Sequence, residues 1–182
     1  VFISTFMSVG IMDIVNGVTL QHTTVPDLAG LGVGVNWIEN KVYTTYGFKV
    51  HDRDTGSVTA LQSYSDPTSS PVFSPATNRM YAGAEVNSLA SAIDGPSDRL
   101  VDFPMLMGRT GLAVHESAAH VFFNGNPLAV LDEASGIIEL MSLPPAAPTG
   151  LNYSTDDIVV DQSSGLVYAL NSGNVEVVQL LR

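Results

Sequence analysis

The chain has 182 residues, 45% of them hydrophobic and 14% charged, which is enough apolar material for one sizeable core or for a short row of repeated units. Its 18 acids outweigh 7 bases, and the formal charge of −11 repels phosphate backbones and anionic membrane surfaces, so nucleic acid is excluded as an expected partner. The absence of cysteine excludes disulfides, zinc–thiolate sites and Fe–S clusters.

The opening VFISTFMSVGIMDIV has no basic residue ahead of it, and Asp13 interrupts it well short of a membrane span. It therefore reads as strands, with no membrane insertion expected. From there the chain repeats itself. KVYTTY, RMYAGA, HVFFNG and LVYALN carry Tyr43, Tyr81, Phe122 and Tyr168 at equivalent places, roughly forty residues apart, and a further step back lands on Phe2.

A second landmark keeps the same phase. Asp13, Asp52, Asp94 and Asp132 each end an apolar stretch and open a turn, as in the hexapeptide His51-Asp52-Arg53-Asp54-Thr55-Gly56. Asp accepts bonds from backbone amides two or three residues on, and Gly supplies positive φ, so this charged hexapeptide is predicted to turn the chain. A third apolar stretch precedes each aromatic one (GVGVNW, SPVFSP, GLAVHE, DIVVDQ). A fourth follows each acidic turn (VTLQHT, VTALQS, RLVDFP, IIELMS).

Each unit thus predicts four short strands, A to D, without an amphipathic helix between them. Such a unit cannot bury both faces of its own small sheet, and stacking on its neighbours solves that. The expected fold is all-β, a β-propeller of four-stranded antiparallel blades, with about 4.5–5 blades present. The units fall at 28–68, 69–107 and 108–148, flanked by partial units 1–27 and 155–182 within one domain. The ends read either as an unusual ring of about five blades, two of them three-stranded, or as part of a larger propeller; the second reading is preferred. The proline-rich stretch 143–155 reads as a loop between blades.

The order of apolar strand, Asn/Asp turn, Tyr-bearing strand, strand ending in Asp and Thr-Gly turn resembles the YVTN/NHL-like propeller repeats. The best matches are residues 32–61 and 157–170. The resemblance implies a propeller and an extracytoplasmic setting, periplasmic, secreted or at the cell surface. It is weak for function, because such propellers include surface and adhesion modules, subunits of periplasmic redox enzymes and lactonases. The chain departs from the pattern at Asp94-Gly-Pro-Ser-Asp98 and at Gln179.

Several residues invite chemistry. His115, Glu116 and His120 flank the A–B turn of one unit, where a hairpin would bring two imidazoles and a carboxylate to one rim, as Zn or Cu requires; the plainer assignment is ordinary turn residues. Met105 and Met107 share a strand face that suits Cu(I) or a haem, although Met usually fills cores. Trp37, the only tryptophan, follows Asn36 at another A–B turn and offers a stacking platform or a packed blade edge. Asn36, Ser74, Glu116 and Asp161 are the places where a lactonase-like propeller would hold Ca²⁺, but they offer one carboxylate pair against a preference for six to eight oxygens. No GxSxG, P-loop or GxGxxG follows a strand.

The leading expectation is a non-enzymatic scaffold that binds a protein or a surface polymer through its loops, alone or within an oligomer or larger complex, with no cofactor. Asn36, Trp37 and Asp161 are the predicted ligand-binding residues, and His115, Glu116 and His120 the predicted metal residues. The alternative is a metal-dependent hydrolase using Ca, Zn or Cu, or an accessory subunit of a redox enzyme.

Overall fold

The computed structural model describes residues 2–4, 11–15, 22–26, 28, 32–45, 48–61, 69–83, 89–103, 106, 111–125, 127–143, 157–171 and 174–179. Every strand is short and pairs antiparallel with its neighbour in sequence. The first sheet joins β1 (Phe2–Ser4), β2 (Ile11–Val15) and β3 (His22–Pro26), so the described residues of the apolar opening form strands as expected. The second joins β4 (Val33–Asn36), β5 (Lys41–Thr44), β6 (Lys49–Asp52) and β7 (Val58–Ala60). The third comprises β8 (Val72–Ser74), β9 (Arg79–Ala82), β10 (Ala90–Asp94) and β11 (Leu100–Phe103). The fourth comprises β12 (Leu112–His115), β13 (His120–Phe123), β14 (Leu128–Asp132) and β15 (Ile138–Met141). The last joins β16 (Ile158–Val160), β17 (Leu166–Asn171) and β18 (Asn174–Gln179).

These five sheets are the blades of an all-β propeller arc. Successive blades touch through their first strands, β4 against β8, β8 against β12 and β12 against β16, with β1 set against β4. The middle strands β5, β9, β10, β13 and β14 lie between neighbouring blades, so they bury side chains on both faces and lose the polar alternation of a half-exposed sheet. In β13, Val121 and Phe123 face the third blade while Phe122 faces the fifth.

The core is accordingly divided into four interblade layers. Val25, Leu28 and Val42 join blades one and two. Tyr43, Phe48 and Val50 meet Phe73, Met80, Ala82 and Ile93 between blades two and three. Tyr81, Ala90 and Ala92 meet Val114, Val121, Phe123, Ala129 and Leu131 between three and four. Phe122, Leu128 and Val130 meet Ile158, Val167 and Ala169 between four and five. In three blades the repeated aromatic residue sits in the layer shared with the following blade, and Tyr43, Tyr81 and Phe122 are fully buried there. Stability in such a stack is approximately a sum of blade and nearest-neighbour terms.

Met105 and Met107, and most of the stretch 143–155, lie outside the described residues; Leu106 between the two methionines is fully buried.

Candidate functional site

In an up-and-down antiparallel blade the A–B and C–D turns emerge at the same end, so these turns together build one rim. Their local chemistry is uniform. Each A–B turn opens on a residue whose side chain can bond backbone and closes four positions later on a left-handed residue: Asn40 (φ 52°), Asn78 (φ 53°), Ala119 (φ 53°) and Gly165 (φ 72°). Asn36 Oδ1 accepts from the backbone N–H of Ile38 and Glu39, both at 3.0 Å. Asp161 Oδ1 accepts from the N–H of Ser163 at 2.9 Å and of Ser164 at 3.4 Å.

The C–D turns repeat the device. Asp52 Oδ1 accepts from the N–H of Asp54 and Thr55, Asp94 Oδ2 from Ser97, and Asp132 Oδ1 from Ala134 and Ser135. Gly56 (φ 74°), Asp98 (φ 54°) and Gly136 (φ 72°) close them. The hexapeptide at 51–56 is a turn, as its sequence implied. Hydrogen bonds to the charged form hold these carboxyls below their ordinary value: Asp52 through Thr55 N–H, Asp94 through Ser97, Asp132 through Ser135 N–H, and Asp161 through the Ser164 and Ser163 hydroxyls.

The predicted metal residues make turn and packing contacts. His115 and His120 are directly opposed across β12 and β13, with one turn of 3-10 helix, Glu116–Ala118, between them. His115 is buried, and its Nδ1 accepts from Ala118 N–H at 3.2 Å, so the imidazole caps the turn. Glu116 is exposed, and its backbone N–H donates to Gln162 Oε1 at 3.0 Å. The His120 ring stands edge-on to Phe122, centroids 6.4 Å apart. Among the described residues no group of three His, Asp or Glu is arranged to hold a metal ion.

The residues of the suggested Ca²⁺ ring have partners of their own. Asn36 is fully buried with its oxygen committed to two amides, and Ser74 donates its hydroxyl to Glu133 Oε2. Both Asp161 oxygens are occupied, by the Ser163 and Ser164 hydroxyls as well as by the turn amides. Among the predicted ligand-binding residues, Asn36 and Asp161 thus shape their turns, whereas Trp37 projects into solvent. It is 59% exposed, braced edge-on by the Phe73 ring at 4.3 Å, and beside it Ile38 is 51% exposed.

What holds the rim together is a set of polar bridges between blades. Lys41 Nζ, on β5, donates to Asp98 Oδ2 and to the Gly95 carbonyl in the next blade's C–D turn, both at 2.8 Å, and Tyr43 OH donates to Asp98 Oδ1 at 2.9 Å. One blade on, Glu133 takes the Tyr81 hydroxyl at 2.7 Å together with the hydroxyls of Ser74 and Thr77. Burial and these carboxylate contacts push both tyrosines above their ordinary value. Between blades two and three, Asn36 Nδ2 donates to Asn78 Oδ1 at 2.8 Å and Asn78 Nδ2 to Glu39 Oε1 at 2.7 Å. Sequence reasoning missed the partners of the tyrosines; a tyrosine rather than phenylalanine at a buried repeat position was the available signal, because its O–H must find an acceptor.

A sequential arc of short antiparallel sheets, packed face to face and joined at one rim by recurring turns, defines a β-propeller repeat protein. Known structures share this fold. The chain aligns with the RRP9 WD40 repeats at a TM-score of 0.67 and 13% identity, over 93% of this chain and 56% of that one. A chain of the mitotic checkpoint complex aligns at 0.72 and 9% identity, over 95% and 57%. An auxiliary nutrient binding protein from Bacteroides thetaiotaomicron VPI-5482 aligns at 0.58 and 11%, over 78% and 35%. The chain therefore spans 35–57% of the length of these three structures. No protein-family model and no curated protein matches the sequence. No helix among the described residues is long and apolar enough to cross a membrane.

Proposed function

We propose that the chain is a YVTN-like propeller binding module, non-enzymatic, whose turn rim engages a protein partner through Trp37 and Ile38. The observation that carries this reading is the exposure of two adjacent large apolar side chains on a turn whose backbone is locked by Asn36. Tryptophan anchors are enriched at protein interfaces, and a rigid mount reduces the entropy lost on binding. Matched folds occur in a mitotic checkpoint complex and in a nidogen/laminin complex, which supports a scaffold role for this one. Similarity to nutrient binding proteins from two Bacteroides species supports the extracytoplasmic setting that the sequence resemblance implies.

Trp37 is the only tryptophan, so its emission reports the rim directly. A partner recovered by cross-linking from the source extract and then purified should shift that emission on titration. Trp37→Ala should weaken binding at least tenfold while leaving the far-ultraviolet circular dichroism unchanged. A partner that saturates the protein without altering Trp37 emission, or binds Trp37→Ala as well as wild type, would refute the reading.

A further inference from the structure

The third blade carries a groove of about 440 Å³ that starts at Asp94 and Ser97 of its C–D turn and continues along β10 and β11. Arg79 and Arg99 wall it, and Ala92, Val101 and Phe103 form its apolar floor. Both arginines are exposed, and Val101 is 48% exposed. Two of the few basic residues in a chain of charge −11 thus converge on one cavity. The volume falls in the ordinary range for a ligand site, roughly 300–1,000 Å³.

The internal repeat explains why these charges are available. Arg79 opens β9 opposite Ser74, as Lys41 opens β5 opposite Asn36. Lys41 is buried and neutralised by Asp98, the fifth residue of the next blade's C–D turn. The fifth residue of the turn facing Arg79 is Gly136, which has no side chain to offer. Of that turn's two carboxylates, Asp132 accepts from the Ala134 and Ser135 amides, and Glu133 is taken up by Ser74, Thr77 and Tyr81. Among the described residues, Lys41 with Asp98 is an ion pair, and neither Arg79 nor Arg99 has a carboxylate within 4.0 Å. Asp94, the acid lining the groove, accepts from the Ser97 amide and hydroxyl and attracts Arg79 at longer range, while the Arg79 side chain also interacts with the Tyr81 hydroxyl.

The groove also runs beside β11, the terminal strand of its sheet. An edge strand offers unpaired backbone donors and acceptors to an added chain. We infer that this groove binds an extended acidic peptide, which sets a carboxylate between Arg79 and Arg99 and an adjoining apolar side chain on Val101 and Phe103. Arginine guanidinium suits carboxylate recognition by its planar fork of donors. The overall negative charge selects a short peptide with isolated carboxylates over a polyanion such as nucleic acid.

The probe is a fluorescein-labelled peptide of alternating Glu and Val, followed by anisotropy at low ionic strength, with an alternating Lys and Val peptide as the comparison. The Glu-Val peptide should bind and the Lys-Val peptide should not. Arg79→Gln with Arg99→Gln should weaken binding at least tenfold, Val101→Glu should block it, and Val159→Thr on the fifth blade should leave it unchanged. Circular dichroism verifies that each variant is folded. Equal binding of both peptides, no binding of the Glu-Val peptide, binding unaffected by the double substitution, or displacement by free glutamate as effective as by unlabelled peptide would each overturn the inference.

Discussion

Removing the Tyr81 hydroxyl probes the bridge that joins blades three and four. Tyr81 is fully buried, and its O–H donates at 2.7 Å to Glu133, which is only 8% exposed. A hydrogen bond to a charged group contributes about 1.5–3 kcal/mol, and in Tyr81→Phe the carboxylate still holds the Ser74 and Thr77 hydroxyls, so the cost should lie near the lower end. Glu133→Ala is a larger perturbation, because it deprives three hydroxyls of their acceptor at once, two of them on fully buried residues. Its expected cost is about 3–5 kcal/mol. Urea unfolding of wild type, Tyr81→Phe, Glu133→Ala and the double variant gives both values and their coupling. A Tyr81→Phe change below about 0.5 kcal/mol, or a Glu133→Ala change no larger than that of Tyr81→Phe, would refute the bridge.

The same bridge has a pH signature. Burial, then the Glu133 contact, raises Tyr81; burial, then the Asp98 contact, raises Tyr43. A group raised in the folded state contributes stability that is fully present below its unfolded value, about 10 for tyrosine, and lost as pH rises beyond it. Stability should therefore fall on the alkaline side above about pH 10, and Tyr43→Phe with Tyr81→Phe should flatten that limb.

Acid acts on the turns. Asp52, Asp94, Asp132 and Asp161 are all lowered by turn hydrogen bonds, so their stabilisation is present above the unfolded aspartate value, about 4, and is lost as pH falls through the folded values. Thermal melts between pH 7 and pH 2 should show it, and Asp161→Asn, which keeps an amide oxygen for the Ser163 and Ser164 N–H groups, should melt higher than Asp161→Ala at pH 7. Gly34→Ala should cost about 1–3 kcal/mol by overpacking, because a Cβ there would lie 2.6 Å from the Pro71 carbonyl oxygen and 2.4 Å from Met80 Cε. Gly56→Ala should cost about 1 kcal/mol for a different reason: the space is open, but φ is +74°. Urea titration of both variants tests the order, and Gly56→Ala proving the more damaging would contradict it.

The fold was legible because its determinants are local and repeated. The aromatic residue recurs because each blade must fill the layer it shares with the next, and the Asp turn recurs because a five-residue reversal needs an amide acceptor and a left-handed closing residue. The site was less legible because its determinants are nonlocal. Glu133 meets Ser74, Thr77 and Tyr81 across more than fifty residues of sequence, a pairing that appears only once two blades are stacked. His115 and His120 looked like ligands because of their proximity; the folded turn uses one ring nitrogen to close itself and leaves the other ring packed on Phe122. Trp37 could be read as an exposed platform or as a packed edge, and the structure combines the two, bracing one ring edge on Phe73 while most of the side chain meets solvent.

The blades are similar in backbone yet differ in how they are joined. Asp98 neutralises Lys41 and takes Tyr43 at one interface, Glu133 gathers three hydroxyls at the next, and at the one after it Gln162 accepts from Glu116 N–H and donates to the Val114 carbonyl. Each layer is apolar, and the polar bridge beside it differs from one interface to the next. The same variation decides which charges remain for outside partners. An aspartate at the fifth turn position buries a lysine within the scaffold, whereas a glycine there leaves an arginine facing an open groove.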